Sequence, residues 1–339
     1  MNYRSIARLA DDMRTWSATL PREIDLVVGV PRSGLLVANL IALYRNLPLA
    51  DLRGLLEGDL LASGPRCSNP LDGERLNHCS LTILVVDDCV STGSAMREVM
   101  EQVAPLREQH TMLLGAAYYD PRAGVALDVA YESLHMPYVF EWKLMHSWVI
   151  EHGCVDMDGV LCRNPEPHED DDGPLYEHFL REAEPYMLPT KTIARIVTSR
   201  QEKYRAPTEA WLRRHGVRYE ELIMRGDRPT AEQTHGAYKA EVYRSDKRFQ
   251  LFLESEAEQA RQIARWSGKP VFCLDTMQMN NPGVYPWQNE QTAPADYHQH
   301  GTVVGRLRRS MRRASGAVRA QAHGARRWVR EAKKRFVGA

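Results

Sequence analysis

Apolar and polar positions along the chain alternate between two periods. Ile6, Leu9, Met13 and Trp16 recur at helical spacing, which predicts a helix within residues 1–20. Residues 25–30 read as a short buried strand, 31–34 as a turn and 35–44 as the following helix. Residues 54–78 are polar and broken by Gly58, Gly64, Pro65, Pro70 and Gly73, which predicts a long mobile loop. A strand over 81–86, a helix over 94–103 and a strand over 111–119 follow. Strands alternating with helices imply a parallel sheet with helices on its faces.

The pattern restarts near 145–152. Strands are expected over 148–155, 193–197, 222–225, 251–253 and 271–274. Helices are expected over 176–184, 208–215, 238–249 and 256–266, the second and fourth stopped by Gly216 and Gly268. A polar loop covers 163–173, and 279–300 is rich in Asn, Gln, Pro and His. The expected class is α/β, with two Rossmann-like parallel-sheet domains over 1–146 and 147–285. A linker over 286–300 and a basic amphipathic helical tail over 301–339 complete the division.

Composition adds little to this picture except in charge. The net charge of zero hides an asymmetry: residues 301–339 hold twelve Lys/Arg against one acid, Glu331, and the remainder holds 32 bases against 43 acids. Val304, Leu307, Met311, Ala314 and Val318 give the tail an apolar stripe, and Trp328 and Phe336 continue it. Such a helix suits an anionic membrane surface, a nucleic acid or an acidic partner, and the aromatics favour the membrane interface. Equally, a basic run of this kind can be a solvated arm. The six cysteines show no CxxC or zinc-ligand spacing and read as reduced thiols of a cytoplasmic protein. No basic-then-apolar signal opens the chain, and the apolar stretch 35–44 is far shorter than the ~20 residues of a membrane span.

Two segments carry chemistry. In the first, an apolar strand leads into Asp87 and Asp88, then the small-residue loop Ser91-Thr92-Gly93-Ser94. Main-chain N–H groups and hydroxyls before a helix suit a phosphate, and the acids suit vicinal hydroxyls, directly or through a metal. An acid pair at a strand end can also simply cap the next helix. The whole string resembles the 5-phosphoribosyl-1-pyrophosphate (PRPP) motif of type I phosphoribosyltransferases, and Val30-Pro31-Arg32-Ser33-Gly34 resembles that family's pyrophosphate loop. The resemblance covers about residues 20–145. It implies that Ser91, Thr92, Gly93 and Ser94 hold the 5-phosphate and that Asp87 and Asp88 hold the ribose. Arg32, Ser33 and Gly34 would hold pyrophosphate with Mg²⁺. It further places a flexible lid over 54–78 and an acceptor-binding hood at residues 139–142, where Phe140 and Trp142 read rather as core.

In the second segment, Val155-Asp156-Met157-Asp158-Gly159-Val160-Leu161 sets two carboxylates two residues apart. One can attack phosphorus and the other can act as general acid and then base, with a divalent cation offsetting the charge. The string resembles the first motif of the haloacid dehalogenase (HAD) superfamily of phosphatases. By that resemblance Thr198 binds the phosphate, Lys239 at a helix start neutralises it, and Asp156, Asp158 and Glu254 hold Mg²⁺. Ser255 stands where a second acid is usual, so Glu256, Glu258 or water would have to replace it. The spacing leaves no room for a large cap, so an uncapped HAD-like fold is expected, for which the resemblance implies a bulky substrate; alternatively the first domain acts as the cap. The acidic run 169–172 disfavours nucleic acid as substrate.

Joined, the two activities suggest transfer of a 5-phosphoribosyl group from PRPP and then removal of its phosphate, leaving ribofuranose on a glycan or lipid-linked saccharide. Peripheral contact with the inner face of the membrane would suit that acceptor. Alternatives are a nucleobase phosphoribosyltransferase joined to a nucleotidase, and a non-catalytic regulator that binds PRPP. Oligomeric state is left open.

Overall fold

The computed structural model describes residues 1–61, 66, 67, 69–226 and 234–283. The linker over 286–300, the basic tail over 301–339 and its apolar stripe lie outside the described residues. The chain divides into two compact units, residues 1–147 and residue 148 onward.

In the first unit β1 (Asn2–Arg4) precedes α1 (Ile6–Thr19), whose N-cap Ser5 accepts the Arg8 amide. Then follow β2 (Leu26–Gly29), α2 (Gly34–Arg45), β3 (Leu49–Asp51), α3 (Leu52–Glu57), α4 (Gly73–His78) and β4 (Thr82–Val90). The unit continues with α5 (Ser94–Val103), β5 (Thr111–Tyr119), β6 (Val129–Ser133) and β7 (Tyr138–Phe140). Five strands form a parallel sheet in the order β3-β2-β4-β5-β6, and β1 pairs with β7 in parallel. The strands are apolar almost throughout because both faces are covered. Val27, Leu84 and Val86 face Leu9, Met13 and Trp16 of α1 and Val37 and Ile41 of α2. Their neighbours Leu26, Val28, Ile83 and Val85 face Leu55, Leu76, Met96 and Val99 of α3, α4 and α5.

The second unit runs β8 (Gly153–Val155), α6 (Pro174–Glu182), β9 (Ile193–Gln201), α7 (Arg205–Arg214), β10 (Tyr219–Arg225) and α8 (His235–Arg244). It then runs β11 (Leu251–Glu254), α9 (Ala257–Ser267), β12 (Val271–Cys273) and β13 (Gln278–Asn280). The sheet order is β10-β9-β8-β11-β12-β13, parallel except for β13. Cys154 and Phe252 pack under Ala240 and Tyr243 of α8 and Ala260 and Ile263 of α9. Elsewhere, the buried Trp211 of α7 donates its indole N–H to Ala183 O at 2.7 Å. At the β10 edge, Arg195 bridges to Glu221 at 2.6 Å.

The α/β class expected from the pattern is what the structure has. Several local expectations are corrected. The stretch 54–78 is not loop at its ends, because α3 and α4 bury Leu52, Leu55 and Leu76. The strand expected over 148–155 shrinks to β8, with Trp148–Ile150 forming a 3-10 turn. Gly153 lies so close to Val149 O (a Cβ would be 2.5 Å from it) that the chain must fold back there. Lys239 is not at a helix start but in the second turn of α8. No helix among the described residues is long and apolar enough to cross a membrane.

Candidate functional site

Strand order decides where chemistry can gather. From β2 the chain leaves to β3 on one side and returns to β4 on the other, and from β8 it leaves to β9 and β10 and returns to β11. At such a reversal, the connections leaving the carboxyl ends of adjacent strands diverge and open a crevice. The two candidate acid sets lie at these two reversals.

In the first unit, residues 31–34 leave the end of β2, with Val30 N–H donating to Val86 O of β4 at 3.0 Å. The Pro31–Arg32 peptide is cis. Arg32 is exposed, Ser33 half-buried and Gly34 buried. A Cβ on Gly34 would stand 2.7 Å from Val86 O and 3.1 Å from Asp87 Oδ1, so the missing side chain brings this loop against the acids of β4. Asp87 and Asp88 lie inside β4 rather than after it. Beyond them Thr92 Oγ1 and Ser94 Oγ are 2.9 Å apart, and Ser91, Thr92 and Ser94 are exposed. Gly93 turns with φ +79°, where a Cβ would also crowd Ala123 O. The structure thus brings the 31–34 loop to Asp87 and sets the 91–94 loop at the end of the same strand, before α5.

Two residues of this site, Arg97 and Lys143, escaped the sequence reading, and Trp142, expected in the core, has a second contact. Arg97, in the first turn of α5, donates to Thr92 O at 3.2 Å and so sets a cation beside the small-residue loop. Trp142 Nε1 donates to Asp88 Oδ2 at 2.7 Å, and Lys143 Nζ lies 2.8 Å from the same oxygen. Trp142 also packs on the core, as expected, but its N–H faces the acid. Burial, and then the charge of Asp88, push the Asp87 carboxyl up to about 7.

In the second unit Asp156 directly follows β8, Thr198 lies in β9 and Glu254 ends β11. The Lys239 ammonium is buried between Asp156 Oδ2 (2.7 Å) and Glu254 Oε2 (2.8 Å), and also donates to Gln259 Oε1 at 3.1 Å. Burial opposes its charge, but the two carboxylates override that and hold it above the ordinary lysine value. Burial pushes Asp156 up to about 8, against the pull of Lys239. Thr198 is buried, and its Oγ1 accepts the Arg200 amide at 3.2 Å.

Asp158 goes elsewhere. Arg200, with its side chain fully buried, grips it through Nε (3.0 Å) and Nη2 (2.6 Å) and reaches Thr208 Oγ1 with Nη1. Burial disfavours the charge of Arg200, yet Asp158 keeps the guanidinium above its ordinary value. No three His, Cys, Asp or Glu side chains among the described residues form a group that could hold a metal ion. The ligand set read from sequence, Asp156 with Asp158 and Glu254, is therefore not assembled as three side chains: Arg200 takes one and Lys239 stands between the other two. Glu256 and Glu258 do not complete it either, being bonded to Gln259 and to Arg261 and Gln262. Ser255 packs directly on Gly159 (φ +78°) and donates to Asp158 O at 3.1 Å. That contact accounts for a small residue where a second acid was expected.

Both units nonetheless set two acids beside one ammonium: Asp87, Asp88 and Lys143 in the first, Asp156, Glu254 and Lys239 in the second. One negative charge is left in each set for a proton or a cation to balance. The acidic run 169–172 is mostly spent internally. Glu169 pairs with Arg163 at 2.6 Å, Asp171 accepts the Tyr176 amide at the start of α6, and Asp172 meets Lys203 and Tyr204 at 2.8 Å.

No protein-family model and no curated protein sequence matches the chain. Among solved structures, it is similar to the purine phosphoribosyltransferase of Pyrococcus horikoshii Ot3, with 21% identity over 42% of this chain and 92% of that one and a TM-score of 0.31. It is also similar to the xanthine-guanine-hypoxanthine phosphoribosyltransferase of Helicobacter pylori, with 15% identity over 42% of this chain and 93% of that one and a TM-score of 0.32.

Proposed function

We propose that the first unit, residues 1–147, transfers a 5-phosphoribosyl group from PRPP and that the second removes the 5-phosphate, together installing ribofuranose on a glycan or lipid-linked saccharide. The observation that carries this reading is the coincidence of each phosphate-type loop and its acids with the strand-order reversal of its own sheet.

In the first unit the main-chain N–H groups and hydroxyls of residues 91–94 receive the 5-phosphate, with Arg97 adding positive charge. Asp87 of β4 receives the ribose hydroxyls, and Arg32, Ser33 and Gly34 cradle the pyrophosphate. As the glycosidic bond breaks, positive charge grows on the ribosyl carbon and negative charge on the leaving group, so these fixed donors act where charge develops. Mg²⁺, when bound, offsets charge on the pyrophosphate and on the substrate phosphate.

In the second unit Asp156 Oδ attacks phosphorus and displaces the ribosyl 5-oxygen, giving an aspartyl phosphate. Asp158 gives a proton to that oxygen and later takes one from the water that cleaves the aspartyl phosphate, which requires it to exchange its partner Arg200. Thr198 and Lys239 bind the phosphoryl oxygens. Asp156 and Glu254 are the side chains that would hold the metal.

Incubation with PRPP, Mg²⁺ and lipid-linked glycan is expected to give pyrophosphate and a ribosylated product. Asp156→Asn is expected to stall at the phosphoribosylated product, and Asp87→Asn with Asp88→Asn to block transfer alone. Orthophosphate release at the native rate by Asp156→Asn would refute the assignment of the nucleophile. One observation favours a second reading. Trp142 stacks on Phe140 with centroids 4.8 Å apart and planes 18° apart, and an aromatic stack fastened to Asp88 suits a planar nucleobase acceptor. Pyrophosphate release with a purine or pyrimidine, and none with glycans, would decide for it.

A further inference from the structure

The two acids of β4 look equivalent in the sequence, but the fold treats them differently. Asp88 is 2% exposed, and one of its oxygens receives both the Trp142 indole N–H at 2.7 Å and the Lys143 ammonium at 2.8 Å. Asp87 is half-buried, and its Oδ1 accepts the Asp88 amide at 2.8 Å. Gly34 lies against that same Asp87 oxygen. An approaching hydroxyl can meet Asp87 beside the 31–34 loop, whereas Asp88 is nearly closed to solvent and one of its oxygens is already spent on a charge-assisted bond inside the protein.

The segment that grips Asp88 is itself fixed at successive residues. Phe140 stacks on Tyr118 with centroids 5.5 Å apart, and Trp142 stacks on Phe140. Between them Glu141 accepts the Ile6 amide at 2.8 Å and the Tyr3 hydroxyl at 3.2 Å. The Lys143 ammonium lies 5.0 Å from the Phe140 ring centroid while it pairs with Asp88.

We propose that the acid pair divides its labour: Asp87 alone addresses the ribosyl donor, while Asp88, held by Trp142 and Lys143, fastens the segment Glu141–His146 beside the site. Trp142 and Lys143 are then positioning residues that act through Asp88. The proposal rests on reading the first unit as a donor site.

The test uses the full chain with PRPP and saturating Mg²⁺, read by calorimetry, together with amide hydrogen exchange of residues 140–146. Asp87→Asn is expected to weaken PRPP at least about tenfold and to leave exchange in 140–146 unchanged. Asp88→Asn is expected to change PRPP affinity less than about threefold while speeding that exchange about tenfold or more. Should Asp88→Asn fold poorly, the half-buried positions serve. Trp142→Phe, which lacks the N–H, and Lys143→Met are expected to speed exchange without weakening PRPP, and Lys143→Arg to restore protection. If Asp88→Asn weakens PRPP as much as Asp87→Asn does, Asp88 addresses the donor and the division of labour is wrong. If exchange in 140–146 is unmoved by Asp88→Asn, Trp142→Phe and Lys143→Met alike, the fastening is wrong. Failure of the donor reading looks different, because the native chain would then bind no PRPP at all.

Discussion

Replacing Asp156 by Asn removes one of the two carboxylates around Lys239 while keeping the shape of the side chain. Burial pushes Asp156 up to about 8 in the folded chain, from an ordinary value of 3.8. Between these limits the folded state keeps a proton that the unfolded state has released. Folding stability contributed by this group therefore falls as pH rises from about 4 toward about 8. An asparagine carries no such proton, so the variant should gain on the native chain as pH rises. One whole proton corresponds to about 1.4 kcal/mol per pH unit, or about 4 kcal/mol between about pH 5 and about pH 8. Asp156 is tightly coupled to Lys239, 2.7 Å away, so we expect about half of that difference, roughly 2 kcal/mol. The assay is urea unfolding in metal-free buffer across this range, following the fluorescence of the buried Trp211 in the second unit. Added Mg²⁺ should flatten the slope, because a bound cation would replace the proton. A difference that is flat with pH, or that moves in favour of the native chain as pH rises, would refute the claim that the cluster holds one excess negative charge.

Arg200→Met should leave Asp158 without its buried partner and cost about 3–5 kcal/mol, measured as a fall in thermal midpoint, with most of the loss recovered in the double variant Arg200→Met/Asp158→Asn. Ser255→Asp puts a larger side chain against Gly159 and should lose about 1–3 kcal/mol by overpacking; a variant of native thermal stability would show that space for a second acid exists. Gly34→Ala drives a Cβ toward Val86 O and should cost about 1–3 kcal/mol on chemical denaturation while weakening PRPP by about tenfold in a calorimetric titration.

Much of this architecture can be read from periodicity. The strands at 82–90 and 111–119 and the helix at 94–103 are long enough for apolar spacing to mark them, and β4 and β5 are buried on both faces. β1, β3 and β7 have three residues each, too few to show a period, and their pairing depends on partners distant in sequence. Trp148, Val149 and Ile150 look like a strand because they are apolar, yet they are buried in a turn whose shape depends on Gly153. At the sites, spacing marks the residues that share one strand and its loop, such as Asp87 with Thr92 or Asp156 with Asp158. It does not show which way each side chain turns. That Asp158 faces Arg200, or that Asp88 faces Trp142, follows from packing between residues 42 and 54 positions apart.

The rims of the two sheets have a consequence for solubility. An outer strand with open N–H and C=O groups invites a second molecule to dock strand to strand, the first step toward amyloid-like stacking. Here β3 has only three residues, β6 presents Glu132 tied to Arg4, and β10 presents Glu221 tied to Arg195, while the antiparallel β13 covers β12. Neutralising Glu132 and Glu221 together should therefore make the chain more prone to self-associate while leaving each hydrophobic interior as it is.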